Sequence, residues 1–167
     1  MVRRWWFWAA AAAVVVIVGF GAWAWWPSRT PEPPRARQYL EFTACSLTDG
    51  QGISGGSAAQ VWAGMQDASL ATHAKVQYLP VLGEATAANA LPYLASLVQR
   101  HCAVVFAVGP AQVAAVAADA AKYPGVRFVA VGGTASGTNV TMVDSAAPDL
   151  RTKVARIVTD AVATAKR

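Results

Sequence analysis

Reactive side chains are scarce in this sequence: two histidines, two cysteines and nine acidic residues among 167. His73 and His101 both precede apolar runs that read as strands, which puts them on the amino edge of any parallel sheet. Neither has a nucleophile, base or ligand cluster at a spacing that makes a mechanism or a metal site. No enzymatic activity, cofactor or metal is therefore expected. Charge is sparse as well, at 14% of residues. The formal net charge of +5 owes much to Arg3, Arg4, Arg29, Arg35 and Arg37, which surround one apolar segment and the linker after it. The remainder is close to neutral, with no basic stripe interleaved with aromatics, so nucleic acid is not an expected partner.

What the sequence does have is one long uncharged run. Trp5 to Trp26, WWFWAAAAAVVVIVGFGAWAWW, would reach about 33 Å as a helix, enough to cross a bilayer core. Tryptophans crowd both ends, where indole rings suit the membrane interface. Arg3 and Arg4 ahead of the run favour a cytoplasmic N-terminus, although the arginines of the linker nearly balance the count. Residues 1–4 then form a cytoplasmic tail and 5–26 a single-pass anchor or uncleaved signal, with the domain extracytoplasmic. Ala22-Trp23-Ala24 also fits the small-x-small pattern of signal cleavage, and cleavage after Ala24 would release the domain. Residues 27–37, PSRTPEPPRAR, contain four prolines and read as an extended spacer.

Residues 38–167 alternate apolar runs with helical periodicity. Strands are expected at Glu41–Leu47, Val76–Val81, Cys102–Val108 and Val126–Val131, with a weaker one at Asn139–Val143. Helices are expected where Val61, Met65 and Ala68, then Ala87, Leu91, Leu94 and Val98, then Val113, Val116 and Ala120, share faces; a last one carries Leu150, Val154 and Ile157. Pro110 suits the first turn of the third helix, whereas Pro92 should kink the second or mark its start. This alternation implies an α/β domain: one open parallel sheet of about five strands, order 2-1-3-4-5, with helices on both faces.

Ligand sites in such sheets lie beyond the carboxyl ends of the strands. Those ends supply Asp49, Gly50, Gly52, Ser54, Glu84, Gly109 and Gly132 as candidate ligand-binding residues. The glycines Gly50-x-Gly52-x-x-Gly55 have dinucleotide-loop spacing. The acid that would hold a ribose about 20 residues further on is missing, because the first one, Glu84, comes 29 residues after Gly55. A nucleotide-dependent enzyme is thus the least supported reading, and a tight turn the simpler one. Cys45 and Cys102 fall on neighbouring strands, offset by roughly 10 Å at about 3.3 Å per residue, so two buried thiols are the default expectation, with a disulfide in an oxidising compartment as the alternative.

The stretch Asp49-Gly50-x-Gly52-Ile53, with Ser57, Trp62, Gly64 and Met65, resembles the opening of basic membrane protein family solute-binding proteins. The similarity continues through Cys102 to Gly109, through Ala121-Lys122-Tyr123-Pro124-Gly125-Val126-Arg127-Phe128, and at Asn139-Val140. The resemblance implies one lobe of a type I periplasmic-binding-protein fold, related to extracytoplasmic ABC-transporter receptors that often bind nucleosides. It also implies Asp49 and Gly50 to Gly52 as ligand contacts, a nucleoside-like small ligand, and transporter components or a second copy as partners. The sequence departs from the family in several places. One lobe is present where members have two, and Gly55 to Ala59 replace the segment that carries the base-stacking aromatic. Gly132 and Gly133 stand where the fourth strand ends in an acid, and no lipoprotein cysteine follows the apolar run. A ligand-free interaction protein of the cell envelope is the alternative.

Overall fold

The computed structural model describes residues 38–166. Five strands, β1 (Thr43–Thr48), β2 (Lys75–Pro80), β3 (Cys102–Val108), β4 (Arg127–Val131) and β5 (Val140–Val143), form one sheet in the order β2-β1-β3-β4-β5. Every neighbouring pair is parallel. The crossovers carry helices α1 (Gly56–Thr72), α2 (Ala87–Gln99) and α3 (Pro110–Asp119), and α4 (Leu150–Ala165) follows β5. Among the described residues no helix is long and apolar enough to cross a membrane. The expected span at 5–26, its cleavage point and the linker at 27–37 lie outside the described residues.

The strands read as unbroken apolar runs because both faces of the sheet are covered. Ala44, Val104, Phe106, Val129 and Val131 point toward α1 and α4, which supply Val61, Met65, Leu150, Val154 and Val158. Cys45, Leu47, Val105, Ala107, Phe128 and Ala130 point toward α2 and α3, which supply Leu94, Leu97, Val113 and Val116. Gly64 lets α1 and α4 cross closely: a Cβ there would strike the Arg151 carbonyl oxygen and stand 2.9 Å from Val154 Cβ. Beside that crossing Arg151 holds Asp67 in a bidentate pair, Nε to Oδ2 at 2.6 Å and Nη2 to Oδ1 at 2.8 Å.

Two prolines interrupt the regular elements for different reasons. Lys75 N donates to Phe42 O and Val81 N to Thr48 O, so alternate residues of β2 face β1, and Pro80 falls on the outward set. Its missing N–H costs the ladder nothing and removes a donor from the open edge. Pro92 does not mark the start of its helix. α2 begins five residues earlier at Ala87, where the Thr86 side chain caps the Asn89 N–H, and Pro92 sits exposed inside it.

The two cysteines are joined, contrary to the expectation of separate thiols. Thr43 pairs with Cys102 but Ala44 pairs with Val104, so Ala103 is an extra residue in β3. That bulge bends the start of the strand and brings the two Cα atoms to 5.8 Å, within bridging range. A straight ladder, which underlies the 10 Å offset, has no such bend. Gln77 on β2 lays its Nε2 3.2 Å from Cys45 Sγ and 3.4 Å from Cys102 Sγ.

Candidate functional site

At the carboxyl end of β1 the chain leaves the sheet through Asp49 to Gly55 before entering α1. Asp49 fixes this turn twice: its carbonyl accepts from Gly52 N at 3.0 Å, and its Oδ1 accepts from Gln51 N at 2.9 Å. Gly52 adopts φ 64°, left-handed backbone that glycine takes without a Cβ clash, and stands against the Tyr78 ring. Tyr78 in turn meets Trp62 of α1 edge-on, with ring centroids 5.3 Å apart. The aromatic pair thus supports the turn from beneath.

The turn, the first residues of α1 and the end of β3 enclose an open cavity of about 360 Å3 lined by Asp49, Gln51, Gly52, Ser54, Ser57 and Gly109, with Gly55, Gly56, Ala58 and Val108 completing the wall. No side chain caps α1 at Gly55, so the positive end of the helix dipole opens on the same space as the Asp49 carboxylate. Among the described residues no lysine, arginine or aromatic side chain lines it.

Four of the seven residues expected from sequence, Asp49, Gly52, Ser54 and Gly109, meet in this cavity, and Gly50, Glu84 and Gly132 do not line it. Glu84 belongs to the turn before α2, where the Asn89 side chain donates to the carbonyls of Leu82 and Glu84 at 2.8 and 2.9 Å. At Gly132, with φ 79°, a Cβ would come within 3.0 Å of Ser145, and one at Gly133 within 2.8 Å of Val113. Close packing thus accounts for glycine at both positions. His73 and His101 lie at the opposite edge, exposed, with φ of 63° and 58°. Among the described residues no group of three His, Cys, Asp or Glu is placed to hold a metal ion.

Sequence reasoning missed Gln112. It sits in the first turn of α3, 2% exposed, and donates to the Thr48 carbonyl at 3.1 Å. Gly109 carries φ 107° beside it, and a Cβ there would be 2.8 Å from Gln112 Oε1. A glutamine two residues after the proline that opens a helix, at the carboxyl end of an apolar strand, was the available signal. The Ser46 hydroxyl, buried on the α1 side of β1, has no hydrogen-bond partner among the described residues and does not line the cavity.

An open parallel sheet in the order 2-1-3-4-5, with a glycine turn at its carboxyl edge, defines the class of fold to which the domain belongs. No protein-family model matches the chain, and no curated protein matches it. Among solved structures it is similar to one described as a "putative lipoprotein from Peptoclostridium difficile 630 (fragment)", with a TM-score of 0.61 and 13% identity over 72% of this chain and 98% of that one. It is also similar to a transcriptional activator of the comK gene from Bacillus halodurans, with a TM-score of 0.50 and 19% identity. That match covers 60% of this chain and 33% of the other, so the present chain spans about a third of the activator's length. At these identities the likeness is one of fold.

Proposed function

We propose that the chain is a non-catalytic binding module, anchored in the cell membrane by Trp5 to Trp26 and displaying a solute-binding-like lobe on the extracytoplasmic side. The observation that carries it is the cavity at the carboxyl edge, where the Asp49 turn meets the uncapped start of α1. The resemblance of this turn to basic membrane protein family receptors supports a nucleoside-like small ligand, with Asp49 accepting from its hydroxyl or amine groups. The Cys45–Cys102 disulfide supports an oxidising, extracytoplasmic compartment. The fold shared with a protein described as a lipoprotein agrees with an envelope location. The cavity on this lobe is open, so a facing surface, such as a second copy or a transporter component, would enclose the ligand further.

A thermal-shift screen of the full chain in detergent tests this reading, because a ligand that binds the native state raises the midpoint by mass action. A rise with nucleosides that Asp49→Ala abolishes is the expected outcome. A flat screen from a cooperatively unfolding protein would favour the second reading, an envelope interaction protein that kept the fold without a ligand. The absence of an aromatic side chain from the cavity wall favours that reading, since nothing there would stack on a base.

A further inference from the structure

The lysines and arginines are spread along the sequence, but the fold collects five of the eight described ones, Lys75, Arg100, Lys122, Arg127 and Lys166, at one edge. Between residues 38 and 149 they are Lys75, Arg100, Lys122 and Arg127. Lys75 opens β2, Arg100 lies in the turn between α2 and β3, Lys122 ends the 3-10 turn Ala120–Lys122 before β4, and Arg127 opens β4. In a parallel sheet every strand begins at the same edge, so all four stand at the amino edge. The last turn of α4 arrives there too: Thr164 and Ala165 share a cavity of about 540 Å3 with Arg127, Thr138 and Asn139, and Lys166 follows. The carboxyl-edge connections carry Asp49, Glu84, Asp144 and Asp149, with no lysine or arginine in residues 49–55, 81–86 or 132–149, and the two cations in the first turn of α4, Arg151 and Lys153, are paired with Asp67 and Asp149.

Among the described residues two of the amino-edge cations have acidic partners, Lys75 with Glu41 at 2.9 Å and Lys122 with Asp119 at 2.7 Å. Arg100, Arg127 and Lys166 are exposed and leave the edge net positive. Helix C-termini also point to this edge, and cations such as Arg100 and Lys166 complement their dipoles. Arg127 begins a strand, so that local effect does not account for it.

We propose that this edge is a docking face for the anionic headgroups of the membrane that bears the protein. The inference rests on the membrane-anchor reading above. Charge complementarity names the partner, and the path of the chain supports it. The polypeptide enters the domain at the same edge, where Leu40 N donates to His73 O just before β1. The linker, residues 27–37, spans at most about 40 Å at roughly 3.6 Å per residue. A tether of that length leaves the edge within reach of the headgroups. Each cation close to an anionic surface then multiplies the docked population about fivefold. Docking by the amino edge turns the Asp49 cavity toward the surrounding compartment, so its ligand or partner approaches from outside rather than along the bilayer.

The test uses the full chain in vesicles of phosphatidylcholine alone and with about 30 % phosphatidylglycerol. Flotation with phosphatidylcholine vesicles reads the anchor by itself. Hydrogen exchange then reads the edge. Amides of residues 100–103 and 122–128 should be protected by the anionic lipid, lose that protection at about 0.5 M salt, and lose it in the triple variant Arg100→Gln, Arg127→Gln, Lys166→Gln. Protection at the carboxyl-edge turn 49–55 should not change. If the chain does not float with phosphatidylcholine, the anchor reading fails, and flotation that depends on phosphatidylglycerol and on the three cations would still support the face. Equal exchange in both lipids, or equal flotation of parent and variant where the anchor is absent, overturns it. Binding of a short DNA duplex that the triple variant abolishes, without a lipid response, would overturn it in favour of a nucleic acid.

Discussion

Asn139 illustrates how much one polar side chain can organise. Its Nδ2 lies 3.0 Å from each of the carbonyls of Ala120, Tyr123 and Val126, which ties the turn before β4 to the residue before β5. Asn139→Ala leaves those part-buried acceptors without their donor, so urea unfolding should show a loss of about 2 kcal/mol or more. Asp67 carries a different kind of signal. Hydrogen bonds from the Arg151 guanidinium hold its carboxyl below its ordinary value of 3.8, against an opposing effect of desolvation and with the guanidinium charge adding to the lowering. A carboxyl whose folded pKa is depressed adds stability above its unfolded pKa, and loses that contribution as the pH falls through the folded value. The window therefore lies below about pH 4, and the pair is too exposed to contribute much. An NMR titration should place the Asp67 midpoint below that of a free aspartate, and Arg151→Gln should move it upward.

At the scale of elements, the α1/α4 crossing carries the sharpest prediction. Gly64→Ala places a methyl group between the Arg151 backbone and Val154, and neither can yield without separating the helices. Alanine is the better helix former by about 1 kcal/mol, yet the overpacking should outweigh that gain and destabilise the domain by about 1–3 kcal/mol in chemical denaturation. The helices themselves were legible in the periodicity of residues such as Val61, Met65 and Ala68, and Pro110 fell at the first turn of α3 as expected. Pro92 was not legible. A sequence does not say that a proline inside a helix will lie on the solvent side, where loss of one backbone bond is tolerated. At the candidate site, Asp49, Gly52, Ser54 and Gly109 could be anticipated because strand ends converge in a parallel sheet. The constraints on Gly132 and Gly133 come from Ser145 and Val113, contacts made by other parts of the chain.

For the molecule as a whole, the disulfide is the longest covalent constraint in the described domain, closing a sequence separation of 57 residues between neighbouring strands. Cross-linking of that span restricts the unfolded chain, so reduction or the Cys45→Ala, Cys102→Ala double variant should cost about 4 kcal/mol at most, seen as a lower thermal midpoint. Alanine is the suitable replacement because both sites are buried, at 0% and 1% exposure. If the midpoint does not fall, the bridge contributes nothing beyond the packing of the two side chains.

By itself the sequence determined the alternation of strands and helices, the parallel order 2-1-3-4-5, and the edge at which the Asp49 turn would lie. These follow from periodicity and from the right-handedness of parallel crossovers, which act over short distances along the chain. Tertiary structure decided what depends on register and on direction. A single bulge at Ala103 decided that Cys45 and Cys102 meet. The common direction of the strands decided that cations separated by 25 and 27 positions, Lys75, Arg100 and Arg127, gather on one edge while Asp49, Glu84, Asp144 and Asp149 lie at the other. Spacing along a chain does not encode such a face; it appears only when strands lie side by side and start together.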